Sequence, residues 1–188
     1  MTSITPTKGL LLIDGAQYDD AFDWLNQRYG SDNPRALFKG TPYELIAGAG
    51  PFLLDASFGS AAYTAWWSGG DLQRGVWLAS VESASQLFPI LQRRLRIFDE
   101  QQCEFWLRLA DGPALSRAWL ADAQWPAGFW FGVQSVWLRH GGTSLCAWVN
   151  ETPGCDSAKA DKGLVAQITL PNVLLHALSL QANTEQLS

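Results

Sequence analysis

The sequence predicts an α/β fold: a mixed sheet with packed helices, in which strands and helices alternate early and antiparallel hairpins follow. Three observations predict it. The short apolar runs Leu10 to Ile13 and Val76 to Ala79 read as strands buried on both faces of a sheet. Between them lie segments with helical spacing and helix-capping residues. Beyond residue 95 come two pairs of strand-like runs, each joined by a turn. Helices layered on a sheet satisfy all three.

The elements follow in order. The first strand, Leu10-Leu11-Leu12-Ile13, ends in Asp14-Gly15. Tyr18, Phe22, Leu25 and Tyr29 then recur at spacings of four, three and four, one face of a helix, with Asp19 or Asp20 at its start and Gly30 after it. Thr41-Pro42-Tyr43-Glu44 predicts a short helix opened by a capping box and stopped by Gly48 and Gly50. Pro51 leads into the strand Phe52-Leu53-Leu54, and Ser60 to Trp67 reads as a helix closed by Gly69-Gly70. After the strand Val76 to Ala79, Ser83 to Arg94 reads as a helix. Its interior Pro89 requires a later start or a kink, because proline lacks the amide donor.

Arg96-Ile97-Phe98 turns through Asp99 to Gln102 into Glu104 to Leu109. There Phe105, Leu107 and Leu109 alternate with Glu104, Trp106 and Arg108, so each set lines its own face. A helix near Ala114 to Ala123 precedes the aromatic cluster Trp125 to Phe131. A second hairpin, Val133 to Leu138 and Leu145 to Val149, turns at Gly141-Gly142. The predicted organisation is a core domain over 1–150, a loop over 151–163 and a short C-terminal helical extension over 164–188.

Composition narrows function. Charged residues make up only 16% of the 188 residues, so uncharged polar and apolar groups must complete the surface. Ten Trp and nine Phe point the same way, since large rings dominate interfaces as well as cores. A net charge of -5 argues against nucleic acid and anionic membranes as partners. The three cysteines are odd in number and widely spaced, which speaks against a disulfide framework or a zinc site. The start of the chain carries no charged segment followed by an apolar stretch, so the expected compartment is the cytoplasm.

The parts of an enzyme are missing. His140 sits at a Gly-Gly turn and His176 on an amphipathic helix, neither with a partner nearby in sequence. Cys103 and Cys146 lie at strand positions, which leaves Cys155 as the one candidate reactive thiol. No nucleophile elbow, zinc-binding His pair or phosphate loop occurs, and Asp19-Asp20 is explained by helix capping. The expectation is a non-enzyme with no cofactor and no metal.

The candidate contact residues are aromatic: Trp125, Phe129 and Trp130, together with Trp66 and Trp67. The alternative for the first cluster is a plug beneath the sheet. For the Trp66-Trp67 pair, neighbours on a helix point about 100° apart, so at most one is fully buried.

One ordered set of motifs resembles a known family. It comprises Leu12-Ile13-Asp14-Gly15, Leu37-Phe38-Lys39-Gly40-Thr41, Gly50-Pro51-Phe52-Leu53, Trp77-Leu78-Ala79-Ser80, Arg94-Leu95-Arg96 and Arg108-Leu109-Ala110-Asp111, followed by Phe131-Gly132 and Val136-Trp137-Leu138. This order is similar to that of the effector adaptors, or chaperones, of type VI secretion, a bacterial domain long catalogued as of unknown function. The resemblance spans about Gly9 to Val149, with Leu170 to Leu178 resembling the helix that follows.

It implies a cytoplasmic, non-enzymatic adaptor of Gram-negative bacteria whose partners are a secreted effector protein and the VgrG spike protein. It passes through Asp14, Gly50, Pro51, Leu95, Arg96, Arg108 and Asp111 as motif residues. Asp14, Arg108 and Asp111 either shape a partner groove or fix a loop through an ion pair or a cap. Ala110 and Gly112 flank Asp111 where the family has a ring and a proline. Many members also carry a long helical C-terminal lobe that grips the effector. Without one, the core carries both partner surfaces or a second protein helps. The rival readings are an immunity protein neutralising a cognate toxin, a small hydrolase using Cys155 or a carboxylate pair, and a glycan-binding module.

Overall fold

The computed structural model describes residues 6–179; the first residues of the chain and its polar tail, including part of the 164–188 extension, lie outside them. Six strands form one sheet: β1 (Gly9–Asp14), β2 (Arg35–Ala36), β3 (Pro51–Asp55), β4 (Val76–Ala79), β7 (Ser135–His140) and β8 (Thr143–Val149). Their order is β2-β3-β1-β4-β7-β8, and every neighbouring pair is antiparallel. A separate two-stranded sheet joins β5 (Arg96–Phe98) and β6 (Glu104–Trp106). The fold is thus the sheet-plus-helices architecture expected from the sequence.

Register decides which helix covers which face. Trp77 on β4 pairs with Leu11 on one side and Trp137 on the other, so these share a face. Helix α2 (Ala61–Trp67) covers it, with Trp66 stacked on Trp77 at 6.0 Å between ring centroids. Helix α1 (Ala21–Tyr29) covers its β3 end, where Phe22 meets Phe52 edge-on at 5.1 Å. Gly9 is needed here: a Cβ at that position would fall 2.3 Å from the Trp77 ring.

Helices α3 (Ala84–Gln92) and α4 (Gly112–Leu120) pack against the sheet, and α5 (Asn172–Ser179) packs against α4. On the face of Val136, opposite Trp77 and Trp137, β8 places its register partner Trp148, whose indole donates to the Ala123 carbonyl at 3.0 Å just past α4. Both faces of β1 and β4 are therefore buried, as their unbroken apolar runs require.

Several boundaries differ from the sequence reading for identifiable reasons. Thr41 accepts from the Tyr43 amide at 3.1 Å and Glu44 from the Gly40 amide at 3.2 Å, but these bonds brace the turn ahead of the helix, whose N-cap is Tyr43 with no side-chain cap bond, so the expected capping box does not form. The segment that follows, Glu44–Ala49, is a 3-10 helix instead of an α-helix, broken at Ile46 by φ -109° and ψ 18°. Ser83 and Gln86 form the reciprocal capping box of α3, and Pro89 sits inside that helix without ending it. Pro89 and Ser85, whose carbonyl the missing amide would have served, are both exposed, so water serves instead.

Strand β6 stops at Trp106, earlier than the alternation to Leu109 suggests: the Leu107 amide still meets the Leu95 carbonyl in register at 2.8 Å, but the Leu109 amide then folds back to the Leu107 carbonyl at 2.9 Å. The extension is part of the body: Thr169 bridges Phe98 of β5, and Ile168, Leu170 and Leu174 are buried. Among the described residues no helix is long and apolar enough to cross a membrane.

Candidate functional site

The structure removes most of the expected aromatic contacts from the surface. Trp66, Phe129 and Trp130 are buried in the core, and Trp125 is half-buried against Phe129 at 4.5 Å and Trp130 at 5.0 Å. The physical reason is Arg94, fully buried beneath the cluster. It donates to the carbonyls of Phe129 at 2.9 Å, Ile90 at 3.1 Å and Gly128 at 3.2 Å, and pairs with Asp156. An anchored loop cannot turn its rings outward. Trp67 is the most exposed member of the set, 39% exposed and stacked on Tyr63.

The motif residues converge at one end of the fold. Asp14, at the end of β1, accepts from the Ala16 amide at 3.1 Å and pairs with Arg108. That hydrogen bond to Asp14 raises the Arg108 pKa further, so the guanidinium stays charged. Asp111 lies 3.5 Å from Arg108 and caps α4 through the Ala114 amide at 3.2 Å. Gly50 accepts from the Gly15 amide at 2.9 Å and lies so close to Phe38 that a Cβ would fall 2.5 Å from the ring. Pro51 is the register partner of Asp14.

Leu95 and Arg96 fix the hairpin. Leu95 is buried and its carbonyl holds Leu107. Arg96 donates to the Tyr43 hydroxyl at 2.8 Å, pairs with Glu104 at 2.7 Å and lies over the Trp106 ring at 5.5 Å. These residues hold the β5–β6 hairpin and the 107–111 turn against the end of β1.

What they hold in place is an aromatic surface that the sequence reading did not single out. Phe105 and Trp106 are each 46% exposed. Trp106 packs edge-on against Tyr43 at 4.5 Å and Phe38 at 5.4 Å, and Leu45, two residues beyond Tyr43, is fully exposed. The signal was present in the alternation: Trp106 falls between Glu104 and Arg108, on the polar side. The hairpin is its own small sheet, and among the described residues all three positions of β6 stay exposed. Beside it, β6, α4 and α5 enclose a groove of about 680 Å³, lined by Phe105, Leu107, Leu175 and Leu178 with Arg74 and Arg117.

The nucleophilic and ligating side chains lie apart. His140 meets Trp119 edge-on, His176 lines the groove, and Cys103 and Cys155 are exposed. Burial raises the pKa of the Cys146 thiol, which keeps it protonated. Among the described residues no three His, Cys, Asp or Glu side chains gather as a metal ion would require. An uncovered aromatic hairpin and a cationic, apolar groove are equipped to bind another macromolecule.

No curated protein and no solved structure is significantly similar to this chain. One family model does match, over residues 10–126, and that span holds the β1 end, the hairpin, Arg108 and α4. It covers more than half of the 188 residues, so the chain belongs to the family described as a domain of unknown function, DUF4123.

Proposed function

We propose that the chain is a non-catalytic adaptor and chaperone that binds a secreted type VI effector in the cytoplasm and loads it onto the VgrG spike protein. The ordered motifs support this reading, and the observation that carries it is the hairpin bearing Phe105 and Trp106, both 46% exposed within the family-matched segment. Exposed rings on the two faces of the hairpin, with an arginine over one of them, are residue types enriched at interface hot spots. A partner covering them gains affinity from apolar burial and needs no chemistry at the site.

Affinity purification of the tagged chain from its native host tests the proposal. An effector and a VgrG protein are expected to co-purify, identified by mass spectrometry. Trp106→Ala is expected to weaken capture of at least one by roughly thirty-fold, the equivalent of about 2 kcal/mol at a hot spot, while the fold survives. Recovery of neither protein overturns the proposal. A toxin held through its catalytic domain, without a spike protein and with protection of a recipient cell, reassigns the chain as an immunity protein.

A further inference from the structure

The groove between β6, α4 and α5 has a charge character at odds with the rest of the chain. Three arginines line it, Arg74, Arg108 and Arg117, on a protein of net charge -5. Its two carboxylates are already engaged: Asp111 caps α4 and faces Arg108, and Asp99 accepts from the Cys103 amide at 2.7 Å. Arg108 is committed to Asp14. Arg74 and Arg117 form no ion pair among the described residues. Arg117 spends one nitrogen on the Leu178 carbonyl at 3.3 Å, while its Nε is buried with no partner. A carboxylate entering the groove would pair with the guanidinium nitrogens of Arg74 and Arg117 that the fold leaves without an ionic partner.

The floor between these cations is apolar, formed by Phe105, Leu107, Leu175 and Leu178. At about 680 Å³ the groove has the capacity of a ligand pocket, enough for a few side chains and too small for a domain. We propose that this groove takes a short acidic segment of a partner protein, with apolar side chains on Phe105 and Leu175 and carboxylates on Arg74 and Arg117. The inference rests on the adaptor reading for its biological setting and adds to it the chemistry of the segment that is gripped. Charge complementarity selects the occupant: a basic segment would meet two unneutralised guanidiniums, and a neutral one would leave them unpaired.

Fluorescence anisotropy on the full chain provides the test. The probes are terminally blocked, labelled 14-residue peptides of leucine with glutamate, leucine with glutamine, and leucine with lysine. The glutamate peptide is expected to bind at least five-fold tighter than the glutamine one and to weaken as NaCl is raised, with the lysine peptide weakest. Arg74→Gln, and the double change Arg74→Gln with Arg117→Gln, are expected to erase the preference in steps while circular dichroism stays unchanged. The single change serves alone if the double variant does not fold.

Equal binding of the glutamate and glutamine peptides overturns the proposal, as does a preference that Arg74→Gln leaves undiminished. A dimer seen by sedimentation and abolished by Arg74→Gln assigns the groove to a second copy and overturns it too. If an effector and spike protein still co-purify with the arginine variants, this inference falls and the adaptor reading stands.

Discussion

Removing the Asp156 carboxylate is expected to cost the protein about 3–5 kcal/mol, a fall in Tm on the order of 10 °C. Arg94 is fully buried, and Asp156 is the one carboxylate that pairs with it among the described residues. Burial lowers the Arg94 pKa, against the opposing pull of its bond to Asp156. Asp156→Ala leaves that guanidinium inside with only carbonyl partners, and Arg93, which also reaches Asp156 at 3.1 Å, loses its partner as well. Arg94→Met, which removes the buried charge and keeps the volume, is expected to cost less than Asp156→Ala. Thermal or urea unfolding of both variants separates a stranded charge from a lost contact.

The same pair sets a pH dependence. Burial alone would raise the Asp156 pKa, but the Ala158 amide and the two guanidiniums outweigh it and hold the carboxyl below its ordinary value. A group whose pKa is depressed by folding contributes stability above its unfolded value, about 3.9, and loses that contribution as pH falls through the folded value. Stability measured from pH 6 downward should therefore decline below about pH 4, and Asp156→Asn should flatten that decline.

Trp66→Ala is expected to cost about 3–5 kcal/mol, whereas the neighbouring Trp67→Ala should stay within about 1 kcal/mol. Trp66 is fully buried and stacked on Trp77, and its indole donates to the Gly75 carbonyl at 3.0 Å. Its removal opens a cavity and leaves that carbonyl unpaired, two penalties that add. Trp67, an exposed ring, loses its stacking on Tyr63 and a tilted contact with Trp66 at 6.1 Å, and no side-chain hydrogen bond. Denaturant midpoints of the two variants measure the contrast directly. Comparable losses would mean that the helix is not oriented as described.

The contrast between these two rings shows what can be read from the chain and what cannot. Helical geometry alone requires Trp66 and Trp67 to point apart, and the early strands were legible because both faces of an unbroken apolar run must be covered. The helix starts at Ser60 and Ser83 were legible, and in the structure both residues are the caps, accepting from the Tyr63 and Gln86 amides. The fate of Trp125 to Phe131 was not legible. Four rings without a charge read equally as a patch or a plug, and the decision lies with Arg94 and Asp156, which are 62 residues apart in sequence. The exposed hairpin was hidden by the opposite ambiguity. Its alternation promised one covered face, but the strand pairs outside the main sheet, and pairing partners are a tertiary fact.

Asp14, Arg108 and Asp111 illustrate a third case. Their types and order could mean a binding groove or a braced loop, and the geometry shows the brace holding one wall of a groove. The positioning role and the binding surface are neighbours, so a change at Arg108 is expected to disturb both.

Hydrogen–deuterium exchange on the co-purified complex, compared with the free chain, tests most directly where partners are held. Protection is expected to appear over Glu104–Trp106 and Glu44–Ala49, while β4 and the Gly128 to Trp130 stretch, already buried in the free chain, stay unchanged. Unaltered exchange across the hairpin, with new protection confined to other surfaces, would contradict an adaptor that grips its partner through uncovered rings.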